Sequence, residues 1–111
     1  TGFAEIMPAK QVIRMATING AKALKLDQEV GSLETGKKAD LILIDTQQPH
    51  LVPYYDPLAL LAYSAQASDV CTVMVDGKIL MENRQLQAMD HSLLLEQAAC
   101  QSKDLIRRSQ V

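Results

Sequence analysis

The sequence predicts a mixed α+β fold, and three features carry that reading. In "VCTVMVDGKILMENR" two apolar segments flank Asp76-Gly77, a dipeptide that tolerates positive φ at both central positions of a type I′ turn, so the pair forms a β-hairpin. Leu41-Ile42-Leu43-Ile44 is a short apolar run between polar neighbours and reads as a further strand. From about His91 to Arg108 the apolar residues return at helical spacing behind Asp90, a good N-cap.

Taken in order, Pro8 in "MPAKQVIRMAT" suits the first turn of a helix with Val12, Met15 and Ala16 on one side. Thr17 then caps a second short helix, "INGAKALKL". Gly20 inside it marks a close backbone contact or a bend, and Lys22 and Lys25 complement the negative end of the helix dipole. Glu34-Thr35-Gly36-Lys37 makes a tight turn with Gly36 at positive φ, and the Leu41–Ile44 strand follows. The polar "DTQQPHLVPYYDP" is a connection, closed by Asp56 as N-cap and Pro57 at the first position of a short helix to about Gln66. In the first hairpin strand Val70, Thr72 and Met74 face one way and Cys71, Val73 and Val75 the other. In the last helix Leu94, Ala98 and Leu105 share one side, and Leu95, Ala99 and Ile106 an adjacent one. Two apolar sides make that helix wide-faced, and it expects to be covered.

Composition narrows the function classes. The chain has 111 residues, 48% hydrophobic and 22% charged, with a formal net charge of −2, which fits one soluble domain or a piece of a larger protein. Lys and Arg are scattered rather than striped, which argues against nucleic acid as a partner. No apolar run approaches membrane-spanning length and the N-terminus lacks a signal pattern, so the expected location is cytoplasmic. Cys71 and Cys100 stand far apart without CxxC or His spacing and read as reduced structural thiols.

Gly31, Gly36 and Lys37 match the phosphate-binding loop up to its last position, where Lys38 stands instead of the Ser or Thr that reaches Mg²⁺. A strand rather than a helix follows. Nucleotide binding by Gly31–Lys37 is therefore the third-ranked hypothesis, and Lys37 reads as a turn cation.

Other chemistry is sparse. His50 and His91 are the only histidines, neither in HxH nor HExxH spacing, and one imidazole does not make a zinc site. Cys71 and Cys100 fall on apolar faces, where a thiol packs as a small core residue. Asp40 and Asp45 flank a strand and read as caps, and Met74 and Met81 as core filling. No catalytic, cofactor-binding or metal-binding residue is assigned in this chain.

The strings "IRMATINGAKALKLDQEVGSLETGKKADLILID", "DP" and "SDVCTVMVDGKILMENRQL" nevertheless resemble the C-terminal portion of an amidohydrolase-superfamily enzyme, from about Pro8 to Asp90. The nearest branch is the metal-dependent aminohydrolases, which include methylthioadenosine/S-adenosylhomocysteine deaminases, guanine deaminases and triazine hydrolases. The resemblance implies a parent with a (β/α)₈ barrel, whose Zn²⁺ or Fe²⁺, held by an HxH pair, two further histidines and an aspartate, activates the attacking water. None of those ligands maps onto this chain, and "TGFAEIMP" falls after the strand that carries the aspartate.

The implied organisation is a terminal barrel-helix segment at 1–29, accessory β-sandwich strands with an inserted short helix at 30–90, and a C-terminal helix at 91–111. The implied function is structural: the C-terminal piece of a metal-dependent hydrolase that deaminates, or otherwise hydrolyses, a ring-bearing nucleoside- or nucleobase-like substrate. The fragment alone is expected to be inactive. Its expected partners are the remainder of the parent barrel and, where bare apolar faces and an open strand edge remain, a second copy through Leu94, Leu95, Ala98 and Ile106. The alternative is an autonomous α+β protein-interaction module without enzymatic activity.

Overall fold

The computed structural model describes residues 6–110; the segment expected to follow a metal-binding strand lies largely outside them. Helix α1 (Ala9–Arg14) starts behind Pro8 and runs through a wider π-helical stretch, Met15–Asn19, into α2 (Gly20–Ala23). There is no break at Thr17. Its hydroxyl donates instead to Ile13 O at 2.7 Å, so it bonds back along a continuous helix and does not cap a new one. A Cβ on Gly20 would stand 3.2 Å from Met15 O, the close backbone contact that a mid-helix glycine suggests.

The buried side of this helix also differs from the expected one. Val12, Ile13 and Ile18 are half-buried and Ala21 is buried, while Met15 and Ala16 are exposed. The π stretch adds a residue to the turn and rotates the later side chains away from the strict 3.6-residue spacing. The helix ends in a Schellman pattern: Lys25 takes φ 59°, Leu26 N donates to Ala21 O and Lys25 N to Lys22 O.

Strand β1 (Leu41–Ile44) runs antiparallel to β2 (Val70–Val75), β2 to β3 (Lys78–Glu82), and β3 to β4 (Gln85–Leu86), giving one four-stranded sheet in the order β1-β2-β3-β4. The hairpin turn is the predicted one, with Asp76 at φ 51° and Gly77 at φ 75°. Ala39 O accepts from Gly77 N, and the Asp40 carboxylate accepts from Asp76 N at 2.7 Å, so the approach to β1 braces the turn. The pairing of β2 is irregular on both sides. The register jumps between Leu43 and Ile44 on one side, leaving Cys71 as an extra residue of β2, and between Val73 and Met74 on the other, leaving Leu80 as an extra residue of β3. Strand β4 had no sequence prediction. It follows a second tight turn, at Asn83 and Arg84, both with positive φ.

Between β1 and β2, Asp56 accepts from Leu58 N and starts α3 (Pro57–Ala59), which continues as a π-helical stretch through Leu60–Ser64. Helix α1 packs on this segment, in which Leu60 is buried, and Leu51 is buried in the connection before it. Helix α4 (His91–Ser109) begins where Asp90 accepts from Leu93 N. The expectation that its wide apolar side is covered is not met within this chain: every residue of it is exposed except Asp104. Cys100 is consequently exposed rather than a core thiol, and Cys71 is half-buried; both are free.

Candidate functional site

Asp69 is the one fully buried charged group among the described residues, 2% exposed. It closes a 3₁₀ turn, Ala67–Asp69, in a reciprocal capping box with Gln66, whose backbone N donates to the Asp69 carboxylate at 2.8 Å. The same carboxylate oxygen meets His50 Nε2 at 2.7 Å, from the far end of the connection after β1. An ionised carboxylate only accepts, so Nε2 carries the proton of the imidazole. The Gln66 amide and then His50 hold the Asp69 carboxyl below its usual range.

Arg84, placed by its left-handed turn, extends the tie. Its Nε donates to Ser68 O at 3.1 Å, a terminal nitrogen meets Asp45 Oδ2 at 3.2 Å, and its backbone N donates to Cys71 O at 2.9 Å. Asp45 also accepts from Gln47 N at 3.0 Å and Gln48 Nε2 at 2.7 Å; these bonds, and then Arg84, lower its pKa. Asp45 N donates to Asp69 O. Three segments that are distant in sequence, 45–50, 66–71 and the turn at Arg84, are thus knotted through one buried carboxylate and one guanidinium.

The imidazole of His50 bonds the Asp69 carboxylate, and among the described residues no Ser, Thr or Cys side chain is hydrogen-bonded to that imidazole. Both carboxylates of the knot are already engaged, Asp69 by the Gln66 amide and His50, and Asp45 by two amides and Arg84. Among the described residues no three His, Cys, Asp or Glu side chains converge on a metal position. A catalytic zinc needs three protein ligands and an open position, which the described residues do not supply. His91 is the first residue of α4, and Asp40 serves the hairpin turn.

The Gly31–Lys37 loop has the geometry of a brace rather than a phosphate cradle. A Cβ on Gly31 would lie 2.7 Å from Ala21 Cβ and 3.0 Å from Ile18 Cα, so this glycine lets the loop lie directly against the first helix. Gly36 holds the turn at φ 92°. Lys37 is a turn cation, its backbone N donating to Glu34 O, but its side chain is only 13% exposed rather than solvent-facing: its Nζ donates to Ser32 Oγ at 2.7 Å and pairs with Glu34 at 3.1 Å. Ser32 and then Lys37 lower the Glu34 pKa. Lys38 pairs with Glu29 at 2.6 Å. Both cations are occupied within the loop.

Among the described residues β1 pairs only with β2 and is an edge strand, with Ile42 52% and Leu43 53% exposed. Between it and α3 lies a cavity of about 260 Å³ lined by Ile42, Ile44, Tyr54, Leu60 and neighbours. An open edge beside an apolar hollow is a seat for another strand.

The sequence profile of the amidohydrolase family matches residues 3–80. The chain is 49% identical, over 92% of its length, to a 5-methylthioadenosine/S-adenosylhomocysteine deaminase from Thermoanaerobacter pseudethanolicus, of which it covers 24%. It is 46% identical, over 98% of its length, to a 5'-deoxyadenosine deaminase from Methanosarcina acetivorans, of which it covers 25%. A solved zinc-bound adenosine deaminase from Xanthomonas campestris superposes on 92% of the chain with TM-score 0.86 and 35% identity, over 23% of that structure. A zinc complex of atrazine chlorohydrolase from Arthrobacter aurescens superposes on 88% with TM-score 0.72 and 28% identity, over 20% of its length. The chain thus spans about a quarter of the length of the curated relatives it matches.

Proposed function

Because the chain belongs to the amidohydrolase family, we propose that it serves as the C-terminal structural quarter of a hydrolytic deaminase, closing a (β/α)₈ barrel and completing its accessory sheet. The observation that carries this reading is the pattern of coverage: nearly the whole chain aligns with nucleoside deaminases, over only a quarter of each. The open edge of β1 and the bare apolar residues beside it support the same reading, since both are satisfied by strands from the remainder of the enzyme. The parent's substrate is an adenosine-like nucleoside, the class that the relatives' names give, and its metal is Zn²⁺ or Fe²⁺, zinc being the one that the solved neighbours hold. That metal, which supplies an activated water, belongs to the parent's other three quarters.

What this chain contributes is position. The Asp69–His50–Arg84–Asp45 knot fixes the connection after β1 against the sheet, and Gly31 fixes the loop before β1 against the first helix. Together they hold the helix layer and the sheet at one spacing. The alternative of an autonomous module has little to stand on, since Ala21, Leu51 and Leu60 are the only buried apolar residues among those described.

Complementation tests the proposal. A relative such as the Thermoanaerobacter enzyme, shortened by the quarter that matches this chain, should be inactive alone. Produced together with this chain, it should regain release of ammonia from methylthioadenosine. The chain alone should release none and hold no stoichiometric zinc after dialysis. Rescue by the relative's own last quarter but not by this chain would overturn the reading, as would zinc-dependent deamination by this chain alone.

A further inference from the structure

We propose that α4 is a self-complementary docking surface whose occupant is the same helix of a second copy, antiparallel, with the two-fold axis level with residues 99–100. The helix lies beyond the residues that the family profile matches, and the structure leaves its apolar side bare: Leu94 is 42%, Leu95 57%, Leu105 69% and Ile106 55% exposed. The arrangement along that side is nearly palindromic. Leu94 and Leu95 stand at one end, Leu105 and Ile106 at the other, and the small residues Ala98, Ala99 and Ser102 lie between. When such a helix is turned end for end, its large residues meet the large residues of its copy at both ends, and the small ones allow close approach at the centre.

The charges at the margins of the stripe choose the direction. At about 100° per residue, Glu96 and Lys103 fall on one margin, and Asp90, Gln97, Gln101 and Arg108 on the other. In an antiparallel pair each margin faces itself. Glu96 then lies opposite Lys103 of the second copy and Asp90 opposite its Arg108, each twice by symmetry, while Gln97 faces Gln101. A parallel pair would set Glu96 and Lys103 against glutamines. Neither Glu96 nor Lys103 has an ion pair among the described residues. Arg107 and Arg108 both bond the single carboxylate of Asp104, so Arg108 can pass to another carboxylate while Asp104 keeps Arg107. Asp90 uses Oδ1 on Leu93 N and leaves Oδ2 available. A barrel surface gives no reason for the two ends of one helix to complement each other; a second copy does.

The test is sedimentation equilibrium of the 111-residue chain over a hundredfold dilution. The unaltered chain should dimerise in the micromolar range. Glu96→Lys alone, or Lys103→Glu alone, should weaken the dimer about tenfold, because symmetry makes each change act twice and each time replaces attraction with like-charge repulsion. The double reversal should restore the dissociation constant to within about twofold. Both positions are exposed, and circular dichroism checks that the helix persists. A chain that is monomeric throughout overturns the proposal, and so does any assembly indifferent to the single reversals or not rescued by the double one.

Discussion

Replacing Gly31 by Ala tests the brace between the loop and the first helix, and the structure supplies its own control. Gly31 and Gly36 have nearly the same φ, 94° and 92°, so Ala carries a similar left-handed strain at either, about 1–2 kcal/mol. Their surroundings differ. Nothing lies within 4 Å of a Cβ on Gly36, whereas one on Gly31 would meet Ala21 Cβ at 2.7 Å and Ile18 Cα at 3.0 Å. Relieving such overpacking costs roughly 1–3 kcal/mol more, because the nearer obstacles are a side chain held on a helix and backbone. Gly36→Ala should therefore destabilise by about 1–2 kcal/mol and Gly31→Ala by about 2–5 kcal/mol. The assay is urea unfolding followed by circular dichroism at one fixed chain concentration. In a double-mutant cycle, Ala21→Gly should recover part of the Gly31→Ala loss while doing nothing for Gly36→Ala. Equal losses at the two glycines, or no coupling between positions 21 and 31, would refute the close-approach argument.

Two further outcomes follow from the same contacts. The carboxyls of Asp69 and Asp45 are depressed by the bonds they accept, so the unfolded chain binds more protons than the folded one in acid; their stabilisation is complete above the ordinary carboxylate range of about 4 and is lost as pH falls through the folded values. Asp69→Asn should flatten that acid limb in a pH series of unfolding midpoints, and an unchanged limb would show that the buried carboxylate does not carry it. Titration with Mg-ATP should give no saturable signal, because Lys37 and Lys38 are occupied by Glu34 and Glu29 and no hydroxyl residue stands at position 38; micromolar affinity lost in Lys37→Met would contradict this.

The parts of the fold legible in the sequence are those fixed by neighbours in the chain. Asp76-Gly77, Asp56-Pro57, Asp90 and Gly36 act within four residues of themselves, and each sits where its local chemistry requires. The knot was not legible, because His50 and Asp69 are 19 residues apart and nothing at either position announces the other. A signal existed nonetheless in Gln66 followed three residues later by Asp69, a capping pair of the kind that fixes a turn. Strand β4 escaped for a different reason. Its turn places Arg84 at positive φ, a conformation that arginine does not advertise and that its three hydrogen bonds to other segments hold in place.

The exposed sides of β1 and α4 mark the limit of what periodicity can say. A pattern of apolar residues states which side chains share a side, but the same pattern arises whether the cover comes from this chain, from the rest of an enzyme or from another copy. Distinguishing them takes a second property that depends on the partner. For β1 that property is the open hydrogen-bonding edge, which asks for a strand and is indifferent to its sequence. For α4 it is the order of charges along the margins, which is specific in direction and register. The two surfaces are therefore separable by salt: pairing at the β1 edge should be nearly insensitive to ionic strength, whereas the α4 pair should weaken as the margin charges are screened. A dimer that tightened in salt would move the contact from the charged margins of α4 to an apolar surface elsewhere in the chain.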